Sequence, residues 1–177
     1  MSPSTLHDLA KAGQVSALED YLQSLDDPSE VINSRDGLKR TALHLAAWAG
    51  HCDAVALLLK QPGIQIAAPA QDGMTALHFA AMKGREGVVE KLLDSGARVN
   101  GKNVKGRNAL HLAAMAGERG VVSTLLKHQA NVLAMDKRGN LARSLCKDVE
   151  IQEILEEAEK KAREKTKRKR ERVQKEM

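Results

Sequence analysis

Aromatic residues are almost missing from this chain of 177 residues: one Trp, one Tyr and one Phe make up 2% of it. A core with so few rings must be built from Leu, Val, Ala and Ile, which suits helices that approach closely through Ala faces. Cysteine is scarce too. Cys52 and Cys146 stand far apart and match no metal-ligand spacing, so two free thiols in a reducing compartment are expected rather than a disulfide framework. No apolar run of about 18 residues occurs, so no membrane-spanning helix is expected. The opening "MSPSTLHDLAKAGQ" has no apolar stretch of the kind a signal peptide needs. Acidic charge is scarce at the far end. Residues 160–177 hold ten Lys or Arg against three Glu, a net of +7 in a chain of net +5. The basic isoelectric point of about 9.3 therefore describes the tail and not the body.

What is present is repetition. "TALHLAAWAG" at 41–50 nearly recurs as "TALHFAAMKG" at 75–84 and "NALHLAAMAG" at 108–117, in steps of 34 and 33 residues. The same offsets align Val55, Val89 and Val122, and the Leu pairs 58–59, 92–93 and 125–126. A period near 33 is the signature of a stacked array. Each unit opens with a Thr or Asn able to cap a helix. "ALHLAA" follows at helical spacing, closed by Gly50, Gly84 or Gly117. A second helix carries Val and Leu on one side, and a polar, Gly-containing arm leads to the next unit. No unit can bury its apolar face alone, so stacking must do it.

These units resemble ankyrin repeats, whose pattern is D-x-x-G-x-T-P-L-H-x-A-A-x-x-G followed by a V-V-x-x-L-L helix. The resemblance covers about residues 4–155. Ala42, Ala76 and Ala109 replace the usual Pro, and Lys39 stands where the family has Gly, which leaves the tightness of the first arm's turn unsecured. The fold this implies is an all-α repeat solenoid of about five helix-turn-helix units with short β-hairpin arms. The units are an opening cap at 4–33, full repeats near 34–67, 68–100 and 101–133, and a degraded closing cap at 134–155. The opening cap keeps Leu6, His7, Ala10 and Gly13 in phase from Ser4 and then has a longer loop, "QSLDDPSEVIN", in which Asp26 and Asp27 read as a solvated turn. The closing cap keeps Gly139 but has Leu141, Arg143 and Ser144 where the T-x-L-H core belongs, and about four residues fewer in its first helix.

His44, His78 and His111 occupy one phase, which raises a metal site or catalysis as possibilities. A zinc site needs ligands converging on one point, whereas equivalent residues in stacked helices lie on the order of 10 Å apart. A structural role is expected instead, each ring bonding backbone and tying one arm to the next, as the resemblance implies. His7 shares the phase, while His51 and His128 lie outside it and are expected at the surface. No nucleophile with its base, phosphate-cradling loop or carboxylate pair in a cleft is found, so no catalytic residue, no metal and no cofactor is expected.

The resemblance also implies where a partner sits: on a concave face of first helices and arm tips, at positions where the family pattern is free. Those positions read Lys11, Trp48, Met82 and Met115, then Ala12, Ala49, Lys83 and Ala116. The arm tips give Leu38, Arg40, Met74, Val104, Lys105, Arg107, Lys137 and Arg138. The expected binding set is Lys11, Leu38, Arg40, Trp48, Met74, Met82, Lys83, Lys105, Arg107 and Met115. Its Trp and Met, flanked by cations, fit an acidic or apolar-studded peptide or loop. The tail 156–177 is a helix former with Glu156–Lys160, Glu157–Lys161, Glu159–Arg163 and Glu164–Arg168 in the favourable order. After Ala162 only Val173 and Met177 are apolar, so no coiled-coil seam is expected there. Lys165, Lys167, Arg168, Lys169 and Arg170 offer a nuclear-import cluster or phosphate contacts with nucleic acid, without an aromatic for base stacking. The expected function is a non-enzymatic protein–protein interaction module or adaptor, cytoplasmic or nuclear. The alternative is a nuclear or ribonucleoprotein-associated factor whose basic tail contacts nucleic acid while the repeats recruit a protein.

Overall fold

The computed structural model describes residues 5–176; Ser4, the expected start of the opening cap, and Met177, one of the tail's two late apolar residues, lie outside them. The described residues form helices α1 (Leu6–Ala12), α2 (Val15–Gln23), α3 (Ser29–Ile32), α4 (Ala42–Ala49), α5 (Cys52–Leu59), α6 (Ala76–Met82), α7 (Glu86–Asp94), α8 (Ala109–Ala116), α9 (Arg119–Lys127), α10 (Ala142–Leu145) and α11 (Val149–Glu176). First helices α1, α4, α6, α8 and α10 touch in sequence, and so do second helices α2, α5, α7, α9 and α11. Two parallel rows result. The short α3 falls within the long loop of the opening cap.

The rows differ because their surroundings differ. An internal first helix has neighbours on both sides and its own second helix behind it. In α4, Ala42, Leu43, His44, Leu45, Ala46 and Ala47 are therefore all buried. Alanine at these places lets backbones approach, where larger side chains would hold the stack apart. Second helices bury one face only: Ala54, Val55 and Leu58 in α5, Val88, Val89, Leu92 and Leu93 in α7. Leu58, Leu92 and Leu125 recur at one phase and are fully buried. Truncating any of them to Ala would cost roughly 2–5 kcal/mol.

The arms are not β-hairpins. No strand occurs among the described residues, and each arm is instead a hydrogen-bonded turn. In the first, the Asp36 N–H donates to the Arg40 carbonyl and the Lys39 N–H donates back to Asp36. A ladder then links successive tips. The N–H groups of Gln71, Val104 and Lys137 donate to the carbonyls of Leu38, Asp72 and Lys105. One bond per junction is too sparse a pairing for a sheet. The turn residue is left-handed in every arm: Gly73, Gly106 and Gly139 at φ 70°, 75° and 79°, and Lys39 at 58°. Lys39 thus keeps the tight turn, helped by Asp36 Oδ1, which accepts from the N–H groups of Leu38 (2.9 Å) and Arg40 (2.8 Å).

Candidate functional site

The histidines form ties between repeats. In α4, Nδ1 of His44 accepts from the Thr41 N–H at 3.1 Å, so the ring proton sits on Nε2, which donates to the Met74 carbonyl of the next unit at 3.1 Å. His78 repeats this with Thr75 and the Arg107 carbonyl. His111 reaches the Asn140 carbonyl at 3.2 Å, and His7 reaches Ser34 and Arg40. Each of the three central rings also closes a capping box at the third residue of its helix. Burial disfavours the imidazolium. It lowers His44 to about 4, with the carbonyls of Met74 and Ala68 opposing, and it lowers His78 and His111 as well. Among the described residues, no group of three or more His, Cys, Asp or Glu could hold a metal ion. Both cysteines are free thiols, Cys52 half-buried and Cys146 buried.

His51 departs from its expected surface role. Its Nε2 lies 3.1 Å from the Lys11 carbonyl, tying α1 to the next unit. The ring passes over Gly13 so closely that a Cβ there would stand 2.5 Å from it, and Gly13 is also left-handed at φ 68°. Glycine is required at that position on both counts.

The expected binding residues divide into three kinds. Trp48 is 41% exposed on a helix otherwise almost wholly buried, and Met115 is 42% exposed on α8. Lys83 Nζ stands 5.2 Å from the Trp48 ring centroid, a cation–π contact across the α4–α6 junction. Leu38 at 52% and Val104 at 50% project from arm tips. Lys11 and Lys105 are exposed, and Met82 is half-buried. Met74 breaks the expectation of an exposed tip. It is only 8% exposed, packed in a small cluster with Ala70, Leu112, Phe79 and Met82, and its sulfur accepts from Asn103 Nδ2. Phe79 and Leu112, which sequence reasoning missed, join Met74, Met82, Val104 and Met115 around a depression of about 340 Å³ between α6 and α8. The signal for Phe79 was its uniqueness: the other two repeats carry Leu45 and Leu112 at that phase.

The two expected rim arginines are already engaged. Arg40 Nη2 lies 2.7 Å from Asp36 Oδ2 within one arm. Arg107 Nε donates to Asp136 Oδ2 of the next arm at 3.2 Å, both side chains largely buried. Burial would raise the Asp36 carboxyl, but the Arg40 guanidinium and the N–H groups of Arg40 and Leu38 outweigh it and hold it below the ordinary carboxylate value. The Asn140 N–H leads the donors that hold Asp136 far lower, ahead of the Arg138 N–H, the Asn140 amide and Arg107, with burial opposing them. These guanidiniums therefore secure arms. Lys11, Lys83 and Lys105 are exposed instead.

The tail helix is continuous with the last unit. Ile151, Leu155 and Glu159 of α11 are buried, and Arg143 Nε donates to Glu159 Oε1 at 3.2 Å. Ion pairs Lys160–Glu156 at 3.1 Å and Lys161–Glu157 at 2.6 Å follow the expected spacing. Lys165, Lys167, Arg168, Lys169 and Arg170 are all exposed.

Set beside known families, the sequence matches the model described as "Ankyrin repeats (many copies)" over residues 6–59 and "Ankyrin repeats (3 copies)" over 63–136. The chain belongs to the ankyrin repeat family. Members of this family are generally protein–protein interaction modules and typically not enzymes. Similar proteins include the human transient receptor potential cation channel subfamily A member 1, 35% identical over 95 residues, which cover 54% of this chain and 8% of the channel. The ankyrin repeat-containing protein ITN1 of Arabidopsis thaliana is 31% identical over 114 residues, covering 54% of this chain and 19% of that protein. The poly [ADP-ribose] polymerase tankyrase of Caenorhabditis elegans is 37% identical over 78 residues, 42% of this chain but only 3% of the relative. The likeness thus lies in the repeats and spans a small part of each relative. Among the described residues no helix is long and apolar enough to cross a membrane.

Proposed function

We propose that residues 1–155 act as a non-enzymatic adaptor that holds a partner protein on the face made by α4, α6, α8 and the arm tips, with Trp48 as anchor. The observation that carries this reading is the exposed Trp48 ring on a helix whose neighbouring positions are buried, with Lys83 beside it and Met115 exposed on α8. Trp is among the residues most enriched at binding hot spots, and an apolar surface beside it favours a ligand over solvent. With Arg40 and Arg107 engaged by carboxylates, apolar contact is the main source of affinity. Lys11, Lys83 and Lys105 then favour an acidic flank on the partner's peptide or loop.

The test uses one substitution and two measurements. A tagged pull-down with the full chain identifies the partner. Trp48→Ala should then cost about 2 kcal/mol or more of binding. It should cost far less stability than the roughly 3–5 kcal/mol lost when a buried Trp is truncated. A variant that loses several kcal/mol of stability while its folded fraction binds normally would refute the anchor role.

The exposed cations from Lys165 to Arg170 favour a second role for the tail, nuclear import or contact with nucleic-acid phosphates. Residence would then be nuclear as well as cytoplasmic. Neutralising Lys167, Arg168, Lys169 and Arg170 together should shift a fluorescent fusion towards the cytoplasm or flatten the salt dependence of RNA binding, with the repeat fold intact. If neither changes, the tail has neither role.

A further inference from the structure

Among the described residues no further arm follows the one at 136–140. At each internal junction the tip carbonyl of one arm (Leu38, Asp72, Lys105) accepts an N–H from the next arm. The equivalent carbonyl in the last arm belongs to Arg138, and among the described residues no arm follows to donate to it. The apolar residues that a further unit would cover are likewise left at the edge: Met135 is 56% exposed, with Leu133 and Leu141 half-buried beside it.

This edge is not simply open to solvent. The distal part of α11 stands alongside it, and the two enclose a cleft of about 550 Å³ with Leu133, Met135 and Leu141 as floor and Arg163, Lys167 and Arg170 on the helical wall. Glu171 contributes the one carboxylate of that wall, 3.9 Å from Lys167. Arg163 is partly satisfied by Glu159 at 3.9 Å. The wall keeps a positive balance, and the floor keeps apolar surface.

We propose that this terminal cleft is a second docking site, distinct from the Trp48 face, and that it takes an acidic segment of a partner protein bearing an apolar anchor residue. The anchor covers Met135 and Leu141. Flanking carboxylates pair with Lys167 and Arg170. Charge complementarity names the acid, since the wall is cationic. The floor decides against nucleic acid: Leu and Met offer nothing to a phosphate, and no aromatic is present to stack a base. A second copy of this chain is disfavoured as well, because its own distal α11 carries the same positive charge.

Fluorescence anisotropy with the full-length protein tests this. The probe is a fluorescein-labelled Glu-rich peptide with a central Leu-Leu pair, compared with the same peptide carrying Ser-Ser and with a labelled single-stranded RNA. The Leu-Leu peptide should bind tighter than the Ser-Ser form and tighter than the RNA. Met135→Asp should weaken it roughly tenfold or more. Lys167→Glu with Arg170→Glu should weaken it as well, and the loss on Met135→Asp should persist in the Trp48→Ala background. Met135 is an exposed loop residue, and helical circular dichroism of the Met135→Asp protein checks that the fold persists. The proposal is overturned if no peptide binding is seen. It is overturned equally if Leu-Leu and Ser-Ser bind alike, or if Met135→Asp has no effect, since attraction to the tail charge alone gives those results. Loss on Trp48→Ala with Met135→Asp silent would place the peptide on the other face.

Discussion

Acidification should loosen the stack at its histidine ties, beginning with His44. In the folded chain Nδ1 of His44 accepts from the Thr41 N–H at 3.1 Å, so a proton added there meets that fixed donor. Burial compounds this and lowers the group to about 4 from an ordinary value of 6.5. The folded state therefore prefers the neutral ring. The stability this contributes is complete above pH 6.5 and is lost as pH falls towards 4. Each tenfold difference in proton affinity between the folded and unfolded chain is worth about 1.4 kcal/mol, so the full loss is about 3 kcal/mol, with about 2 kcal/mol already gone at pH 5. His78 and His111 are lowered by burial too and add loss of the same sign. Asp36 and Asp136 are held low by their donors and lose stability in acid as well, but only below the unfolded carboxylate range near 4. Between pH 7 and 5 they are ionised in both states and contribute no slope.

Urea unfolding followed by helical circular dichroism, at pH 7 and at pH 5, measures this. Wild type should lose at least about 2 kcal/mol over that interval. His44→Gln should start lower at pH 7, by roughly 1–3 kcal/mol for broken buried hydrogen bonds, and then show a shallower dependence. The gap between the two proteins should shrink in acid. Parallel curves, or a wild type equally stable at both values, would refute the assignment of His44 as a buried neutral tie.

Asn108 invites a stabilising substitution. Its Nδ2 is the one buried side-chain polar atom without a partner among the described residues, while its Oδ1 stands 2.6 Å from His111 Nδ1 and accepts the His111 N–H at 3.1 Å. Turning the amide over would let Nδ2 donate to His111 Nδ1, but it would set Nδ2 against the His111 N–H and leave Oδ1 in the unpartnered place, so neither orientation satisfies the whole group. Asn108→Thr copies the other two repeats and should stabilise by about 1 kcal/mol in urea unfolding; a neutral or destabilised variant would show that the orphan costs nothing. Hydrogen exchange should find residues 136–155 opening before 75–126, because α10 has only four residues and the last unit has a neighbour on one side. Equal protection across both segments would contradict that order.

Most of the fold was legible because the chain states it several times. A Leu at the phase of Leu58, Leu92 and Leu125 is buried in every full repeat, and a His at the phase of His44 reaches the next arm in every one, so recurrence alone marks them as structural. What the sequence concealed depends on distances across a junction. The arms have turn residues and extended stretches, yet only one backbone bond joins successive tips, and no strand forms among the described residues. Met74 sits at a tip by position but turns inward, since Phe79 and Leu112 leave an apolar hollow that it fills. His51 falls outside the histidine phase, yet it is a tie because Gly13 lacks a side chain. Lys39 adopts a backbone conformation that costs an L-residue roughly 1–2 kcal/mol. The adjacent Asp36 offsets that cost with two accepted N–H bonds.

Partner-binding residues in a repeat protein are sought by the opposite criterion, as positions that fail to recur. Trp48 meets it and is exposed; Phe79 meets it and packs against Met74. The arginines show why the criterion is insufficient. Arg40 and Arg107 share a phase and look like a matched rim. One is held by Asp36 of its own arm, however, and the other by Asp136 of the following arm. The difference follows from the residue at the arm's start: the first arm opens with Asp36, whereas the third opens with Asn103, so Arg107 finds its carboxylate one unit further on. A charge on an arm is available to a partner only when no arm within reach supplies its counter-ion. Lys105 follows Asn103 in an arm that opens without an acid, and its exposed side chain extends into solvent, so it meets that condition better than either arginine.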